Sequence, residues 1–358
     1  MKITIVVGNR PQFIKAAAFY RQERRDDLDI SLIHTGQHYD DNMSTIFFQE
    51  MDLPSPNHYL GIGGGNHGEM TGRMLQSIEG LFQQEKPDVV LVLGDTNSTL
   101  AGTLAAVKMH IPVAHVEAGL RSFNRKMPEE INRVLTDHAS EYLFIPCEGA
   151  RENLRKEGIA EAKIHHSGDV MYDVFLHYRS RARNTSTILQ RIGLTARQYA
   201  LATIHRAENT DDLTQLHEII HGLSIISRDF PIIFPLHPRT RKVLDESNLL
   251  KDVECKNLIF IDPVGYFDMI VLEESAKAIF TDSGGVQKEA YFCGVPCITL
   301  RKETEWMELV NNGFNQLVPP RRENIVAAYN ESGREIGWDK NLYGNGRAAE
   351  NILETLAR

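Results

Sequence analysis

Short runs of apolar residues alternate with longer amphipathic stretches along the whole chain. Six runs in the first half have the length and aliphatic character of buried strands: Ile3–Val7, Ile30–His34, Val89–Leu93, Val113–Val116, Tyr142–Ile145 and Ile164–His166. Six more follow in the second half: Tyr199–Thr203, Ile232–Leu236, Leu258–Ile261, Ala278–Thr281, Cys297–Leu300 and Gln316–Val318. Most of these runs do not alternate apolar with polar residues, which is typical of strands that are buried on both faces of a parallel sheet.

Helical patterns separate these runs, among them Pro11–Arg24, Gly68–Gln84, Thr96–Met109 and Glu129–Ser140. Strands that alternate with helices of about 10–15 residues indicate βαβ units. Because the plan occurs twice, the sequence predicts two Rossmann-like, doubly wound α/β domains. Ligands of such domains bind at the carboxyl ends of the strands.

The length of 358 residues suits two domains better than one core. We place the amino-terminal domain at 1–168 and the carboxy-terminal domain at 169–343. The polar stretch 179–187 is interpreted as a turn between helices. The stretch 344–358 is predicted to be a helix with Ala348, Ile352, Leu353 and Leu356 on one face.

Composition narrows the classes of function. Apolar residues make up 42% and charged residues 24%, which is ordinary for a globular protein. The net charge of −9 argues against non-specific nucleic-acid binding, which depends on cations that neutralise phosphates. The four cysteines form no CxxC pair, and neither a signal peptide nor an apolar membrane span is visible, so we predict a cytoplasmic protein with no membrane insertion.

One segment in the second half suits a phosphate. A predicted strand ends at Thr281 and runs into Ser283, Gly284 and Gly285 at the start of an apparent helix. Glycines let backbone N–H groups approach a phosphate closely, and the start of a helix favours negative charge. We favour a diphosphate site over a plain turn, with Glu289 one helical turn further on, within reach of a ribose hydroxyl.

Arg10 and Lys15 lie at the start of the helix after the first strand, where an anion is favoured. An ordinary surface arginine and lysine is an equally good interpretation. The match to GxGxxG at 63–68 is set aside, because no clear strand precedes it as the dinucleotide fingerprint requires.

Acidic residues follow two predicted strands and open a helix. Gly94 and Asp95 follow Val89–Leu93, Glu117 comes directly after the fourth run, and Glu129 and Glu130 begin a helical stretch. A helix cap or a first-turn charge explains each one alone. Together they suggest an acid–base pair, because two carboxyl groups beside one sugar can serve as acid and base.

His205 follows the first strand of the second half and has the side chain suited to proton transfer near neutral pH. A lone histidine in a loop is usually inert, so a catalytic role for His205 depends on which residues lie beside it in the fold.

These segments together resemble the non-hydrolysing UDP-N-acetylglucosamine 2-epimerases. The resemblance runs in order along almost the whole chain, through GNRPQFIKAA at 8–17, TGQHYDDNM at 35–43, GDTNSTLAG at 94–102, HVEAGLRS at 115–122, PEEINRVLTD at 128–137, GDVMYD at 168–173, HRAEN at 205–209 and TDSGGVQKEA at 281–290. It implies a glycosyltransferase-B arrangement with a deep cleft between the domains, a terminal helix that joins the first domain, and a homodimer. It implies neither a metal nor a redox cofactor.

The resemblance also implies a reaction that inverts C2 of a UDP-2-acetamido sugar. UDP leaves C1 as the C2 proton is lost, which gives a 2-acetamidoglucal, and UDP then adds back while a proton returns to the opposite face. Family positions for catalysis are matched by Asp95, Glu117, Glu129 and His205. Family positions for substrate binding are matched by Arg10, Lys15, Ser283, Gly284, Gly285 and Glu289.

The sequence departs from the acetylglucosamine enzymes at Trp306, where they have arginine, and in the shorter loop after Arg121. ETEW at 303–306, GGGNHG at 63–68 and RSFNRKMPEE at 121–130 resemble the branch that acts on UDP-2,3-diacetamido-2,3-dideoxyglucuronate and feeds O-antigen, lipopolysaccharide or capsule synthesis. The carboxylate of that sugar needs a cation, for which the candidates are Arg121, Arg125, Lys126 and Arg301. UDP-N-acetylglucosamine as substrate, a glycosyltransferase and a non-catalytic sensor are the alternatives.

Overall fold

The computed structural model describes residues 1–21, 27–37, 50–247, 249–251, 253, 256–333, 337 and 341–358. Part of the TGQHYDDNM segment and the end of the first predicted helix lie outside the described residues.

The elements of the first part of the chain are, in order, β1 (Lys2–Val7), α1 (Arg10–Tyr20), β2 (Asp29–His34), β3 (His58–Tyr59), α2 (His67–Glu85), β4 (Val89–Leu93), α3 (Asn97–Lys108), β5 (Val113–Val116), α4 (Pro128–Ala139), β6 (Tyr142–Ile145), α5 (Glu148–Lys156), a 3₁₀ turn (Glu161–Lys163), β7 (Ile164–His166) and α6 (Val170–Thr185). The second part continues with α7 (Ile188–Arg191), β8 (Ala200–Thr203), α8 (Ala207–Thr210), α9 (Leu213–Ser227), β9 (Ile232–Pro235), α10 (Pro238–Glu246), β10 (Leu258–Ile261), α11 (Tyr266–Ser275), β11 (Ile279–Thr281), α12 (Gly284–Cys293), β12 (Cys297–Thr299), α13 (Met307–Asn311), β13 (Asn315–Leu317), α14 (Arg322–Glu331) and α15 (Ala348–Leu356).

The chain divides into two compact units, Met1–Leu176 with Lys340–Arg358, and His177–Asp339. The sequence places the domain boundary at 168/169, in the loop before α6, whereas the contacts divide the chain within that helix.

Helix α15 belongs to unit 1 and packs against α1. Asp173 of α6 caps it by accepting hydrogen bonds from the backbone N–H groups of Ala348 and Ala349, at 3.0 and 2.8 Å. Burial raises the pKa of Asp173 to about 6.

The interpretation of 179–187 as a turn is wrong, because α6 continues to Thr185. Arg179 and Arg183 lie one helical turn apart, and both form ion pairs with Glu274 of α11. Ala182 between them is buried. The stretch is polar because it carries the ion pairs that hold two helices of unit 2 together.

In unit 1 the described strands form a parallel sheet in the order β3-β2-β1-β4-β5-β6-β7. Its direction of growth reverses between β1 and β4, and ligands of doubly wound sheets bind in the crevice outside such a switch point. The two-residue strand β3 was not predicted, and it precedes the GxGxxG match at the sheet edge rather than at this switch point.

In unit 2 the strands form a second parallel sheet in the order β10-β9-β8-β11-β12-β13, which reverses between β8 and β11. Each sheet has a hydrophobic core between its strands and helices. Val6, Val92 and Phe82 lie in the core of unit 1, and Phe234 and Phe280 lie in that of unit 2. Two doubly wound parallel domains, as the hydrophobic pattern predicts, are therefore confirmed.

Gly119, in the turn after β5, gives a test of the fold around the switch point of unit 1. Its φ is +79°, and a Cβ atom there would lie 2.5 Å from the carbonyl oxygen of Ala150. Gly119→Ala should lower the free energy of unfolding by about 1–3 kcal/mol, because the alanine would be strained in the left-handed conformation and its Cβ atom would also clash with the backbone. Gly72 of α2 has open space around it, so Gly72→Ala should be neutral or stabilising by up to about 1 kcal/mol. Equal denaturation midpoints for the two variants would contradict this account.

Candidate active site residues in the two units

Gln12 of α1 joins the two loops that flank the switch point of unit 1. Its Oε1 accepts a hydrogen bond from the Gly8 backbone N–H at 2.7 Å, and its Nε2 donates to the Leu93 carbonyl at 2.6 Å and to Thr96 Oγ1 at 3.0 Å. A Cβ atom at Gly8 would lie 2.0 Å from Ser98 Oγ, so only glycine fits there. The loops after β1 and β4 are thereby held together.

Lys15 and Glu117 form a buried ion pair in this region. Lys15 comes from α1 and Glu117 directly follows β5, so the pair joins elements far apart in the chain. Glu117 has a φ of +69°, a strained conformation for a residue with a side chain, and such strain occurs preferentially at functional sites. A Cβ atom at Gly94 would lie 3.3 Å from both charged groups, so the glycine after β4 leaves space for the pair.

Asp95 is held by α4. Arg133 donates to its Oδ2 from Nε at 3.0 Å and from Nη2 at 2.7 Å, and Asn132 donates to its backbone carbonyl at 2.9 Å. About a third of the Asp95 side chain stays exposed, at 32%. The acid is therefore fixed in position and still open to a ligand.

The neighbouring acids of α4 have different surroundings. Glu130 is buried, accepts hydrogen bonds from the backbone N–H groups of Ser122 and Phe123 at 3.0 and 2.9 Å, and pairs with Arg133. Glu129 is half-buried, and within the described residues its carboxyl group makes no hydrogen bond or ion pair. Glu130 thus shapes the loop before α4, while Glu129 remains available. Arg10, the first residue of α1, is also half-buried.

In unit 2, Asp282 organises the switch point between β8 and β11. This buried carboxylate accepts hydrogen bonds from the backbone N–H groups of His205 and Arg206 and from Asn209 Nδ2, each at 3.0 Å. The sequence analysis did not single out Asp282, although it directly precedes Ser283. Its position in the loop after β11 was the available signal.

His205 keeps a partly exposed ring, at 36%, beside this carboxylate. Its Nδ1 lies 3.6 Å from Asp282 Oδ1, and the ring stacks on that of His237 with a centroid separation of 5.2 Å. The backbone of His205 is therefore fixed while its imidazole remains accessible.

Ser283 is the N-cap of α12, with its Oγ 3.5 Å from the Val286 N–H. Gly284 and Gly285 are partly exposed at the helix start, and Glu289 is buried one turn later. A Cβ atom at Gly284 would lie 2.5 Å from Glu305 Oε1, so a larger residue there would have to displace that carboxylate. The arrangement leaves a helix N-terminus open to an anion.

The four candidate cations for a sugar carboxylate differ in their availability. Arg121 is buried and paired with Asp137 and Glu157, each at 2.7 Å, so its charge is already neutralised. Arg301 is buried, donates from Nη1 to Glu305 at 2.9 Å, and has no partner for Nε or Nη2 among the described residues. Arg125 and Lys126 are exposed.

The described ranges contain no cluster of three or more His, Cys, Asp or Glu side chains arranged to hold a metal ion. Within the same ranges, no helix combines the length and the apolarity needed to cross a membrane.

Unit 1 thus carries an acid cluster at its switch point, and unit 2 carries a partly exposed helix N-terminus at its own. Residues 21–357 match the family described as UDP-N-acetylglucosamine 2-epimerase. The chain belongs to this family, and it is accordingly an isomerase, a UDP-sugar 2-epimerase.

Individual relatives cover the full chain. It is 51% identical to a UDP-N-acetylglucosamine 2-epimerase homolog of Methanococcus maripaludis, over 99% of each chain. It is 50% identical to the UDP-2,3-diacetamido-2,3-dideoxy-D-glucuronate 2-epimerase of Pseudomonas aeruginosa, over 100% of each. The solved UDP-GlcNAc 2-epimerase of Methanocaldococcus jannaschii, in complex with UDP-GlcNAc and UDP, superposes with a TM-score of 0.94 at 47% identity and covers 100% of this chain and 99% of its own. The fold is the glycosyltransferase-B-like fold of these epimerases.

Replacing Asp282 tests its role in the loop. In Asp282→Asn the side chain keeps one oxygen. The new NH₂ group would face N–H groups that donate hydrogen bonds to the carboxylate in the wild-type protein. The free energy of unfolding should fall by about 1–3 kcal/mol, measured by chemical denaturation, because buried donors lose their acceptor. Asp245→Asn, on the exposed side of α10, is the matched control and should be neutral. Similar stability of both variants would show that Asp282 does not organise the loop.

Proposed function

We propose that this enzyme inverts C2 of a UDP-2-acetamido sugar by elimination and re-addition of UDP, without net hydrolysis. The observation that carries the proposal is the distribution of groups at the two switch points. Unit 1 offers three acids, two of which are paired with fixed cations, and unit 2 offers a partly exposed helix N-terminus and a histidine beside Asp282. Proton transfer at C2 needs the first set, and a departing diphosphate needs the second.

The diphosphate binds at Ser283, Gly284 and Gly285 in this proposal. The start of α12 offers backbone N–H groups to the phosphate oxygens, and its dipole favours their charge. Glu289 binds the ribose. His205 assists departure of the diphosphate, because an imidazolium stabilises the negative charge that develops on the leaving oxygen.

Arg10 and Lys15 lie near the diphosphate in this proposal, and Asp95, Glu117 and Glu129 handle the proton at C2. A carboxylate removes that proton, the C–H electron pair forms the C1–C2 double bond, and the C1–O bond electrons leave with UDP. A protonated carboxyl group on the other face then returns a proton to C2, while a phosphate oxygen of UDP attacks C1.

For the substrate we propose UDP-2,3-diacetamido-2,3-dideoxy-D-glucuronate, with its mannuronate epimer as product. The support is the ETEW segment with Trp306, the RSFNRKMPEE segment and the 50% identity to the Pseudomonas enzyme. Arg125, Lys126 and Arg301 remain as cations for the sugar carboxylate. Such a product feeds surface-polysaccharide synthesis such as O-antigen, lipopolysaccharide or capsule, on the cytoplasmic side. UDP-N-acetylglucosamine, converted to UDP-N-acetylmannosamine, is the second candidate, favoured by the similarity to the Methanocaldococcus enzyme.

Incubation of each UDP-sugar with the enzyme in D₂O tests this function. We expect deuterium at C2 of the diacetamido-glucuronate, detected by NMR, because every turnover returns a solvent proton to C2. Deuterium in UDP-N-acetylglucosamine alone would select the second substrate. UDP release to an added acceptor sugar without label would indicate a glycosyltransferase, and UDP binding without any reaction would indicate a sensor.

The same assay checks the acids. Glu117→Gln and Glu129→Gln should lose the exchange while they still bind UDP, measured by calorimetry, because neither acid is among the residues assigned to the diphosphate or the ribose. Glu152→Gln, on an exposed position of α5, is the matched control and should exchange at the wild-type rate. Retained exchange in either acid variant would remove that residue from the mechanism.

We also infer a homodimer that forms through helix α4. This helix buries its polar residues Glu130, Asn132 and Arg133 and exposes Ile131 and Leu135, at 41% and 47%. Phe123, in the loop before α4, is 73% exposed. Exposed apolar residues on a helix face and in the loop before it are typical of an interface, and a second copy of the chain would present the same residues in a symmetric dimer.

Charge placed on this patch should separate the subunits. Ile131→Asp and Leu135→Asp together should convert the dimer to a monomer in light scattering coupled to size exclusion, because the contact would bury unpaired carboxylates. Leu213→Asp, on an equally exposed apolar position of α9, should leave the mass unchanged. A wild-type protein that is monomeric at micromolar concentration would refute the inference.

A further inference from the structure

His115 of β5 is fully buried, and both nitrogens of its ring face oxygen atoms. Nδ1 lies 2.7 Å from Asp137 Oδ1, and Nε2 lies 2.7 Å from the carbonyl oxygen of Gly94. A carbonyl oxygen can only accept a hydrogen bond, and an ionised carboxylate can only accept as well. Burial alone would raise the pKa of Asp137, but the ion pair with Arg121 and the hydrogen bond from the Gly119 N–H favour the ionised carboxylate, and its pKa lies below the ordinary value. Both ring nitrogens therefore donate, which requires the imidazolium form.

The imidazolium belongs to a chain of alternating charges. Asp137 also accepts a hydrogen bond from the Gly119 N–H at 3.1 Å and forms an ion pair with Arg121, whose Nη1 lies 2.7 Å from Oδ2. Arg121 in turn donates from Nε and Nη2 to the two oxygens of Glu157, both at 2.7 Å. Two cations and two carboxylates cancel, which is what allows this much charge inside the unit.

Two contacts of this network fall on the backbone of the turns that carry catalytic acids. The Gly94 carbonyl directly precedes Asp95, and the Gly119 N–H lies in the turn that begins with Glu117. Glu117 is held at a φ of +69°, which its surroundings must impose. A shift of either turn would displace one acid relative to the other.

We propose that His115 is a positioning residue for Asp95 and Glu117, and that its buried positive charge sets the pH range in which those acids work. The proposal rests on the epimerase mechanism above. The network ends at Glu157, which also pairs with His138. Outside the network, Glu117 is paired with Lys15, and Asp95 is paired with Arg133, which also pairs with Glu130. Those pairs are complete without His115, so its loss leaves the local partners of both acids in place.

His115→Gln tests the proposal because glutamine keeps a side-chain N–H donor but carries no charge. The kcat for C2 deuterium exchange should fall about 100-fold, as expected for a displaced catalytic group, while KM stays at its wild-type value. Loss of the positive charge raises the pKa of nearby carboxylates. The acid limb of the rate profile, where the base becomes protonated, should therefore move to higher pH.

His58→Gln is the matched control, because His58 also lies beside a carboxylate, Glu85 at 3.3 Å, but on the edge strand β3. It should change neither kcat nor the pH profile. An unchanged acid limb in His115→Gln, or a loss confined to KM, would overturn the proposal. If wild-type enzyme exchanges no deuterium, the epimerase function itself fails, so the two failures are distinguishable.

A measurement on the wild-type protein covers the case in which His115→Gln does not fold. With ¹⁵N-labelled histidine rings, one ring should have both nitrogens protonated at about pH 7.5, where ordinary histidines are mostly neutral. Absence of any such ring among the 14 histidines would exclude the imidazolium and overturn the proposal.

Discussion

The acids of unit 1 depend on one constraint, which is that a carboxylate taken out of water needs a cation or several donors around it. Lys15 satisfies Glu117, Arg133 satisfies both Asp95 and Glu130, and His115 satisfies Asp137 together with Arg121. Apart from Arg133–Glu130, which lies within α4, each of these pairs joins different elements or turns of unit 1. The charges that equip the site for chemistry are therefore also the contacts that fix its geometry.

The need to pair buried charges also determines which face of helix α4 is buried. Most amphipathic helices bury their apolar residues, whereas α4 buries acids, an asparagine and an arginine and exposes isoleucine and leucine. The polar face holds Asp95 and the loop at 122–124, and the outer face becomes available for association. One short helix can thus contribute to catalysis on one side and to assembly on the other.

The hydrophobic pattern predicts nearly all of the strands, because short runs such as Val89–Leu93 are buried on both faces and end in glycine or acid. It misses β3, which has two residues, and it misjudges Arg179–Thr185, because polarity alone cannot tell a solvated turn from a helix that forms ion pairs with Glu274. Asp95, Glu117 and His205 could be singled out since each lies within two residues of the end of a strand. Their pairing could not be predicted, because Lys15 meets Glu117 and Asp282 meets His205 only after the chain has folded.

Unit 1 is discontinuous in sequence, since its last helix follows the whole of unit 2. Ile352, Leu353 and Leu356 are buried in unit 1, and the start of that helix is capped by Asp173. During synthesis, unit 2 can therefore complete its sheet before unit 1 receives its final helix. Because α15 follows unit 2 in the chain, unit 1, which carries Asp95, Glu117 and Glu129, reaches its final packing only after unit 2 has been synthesised.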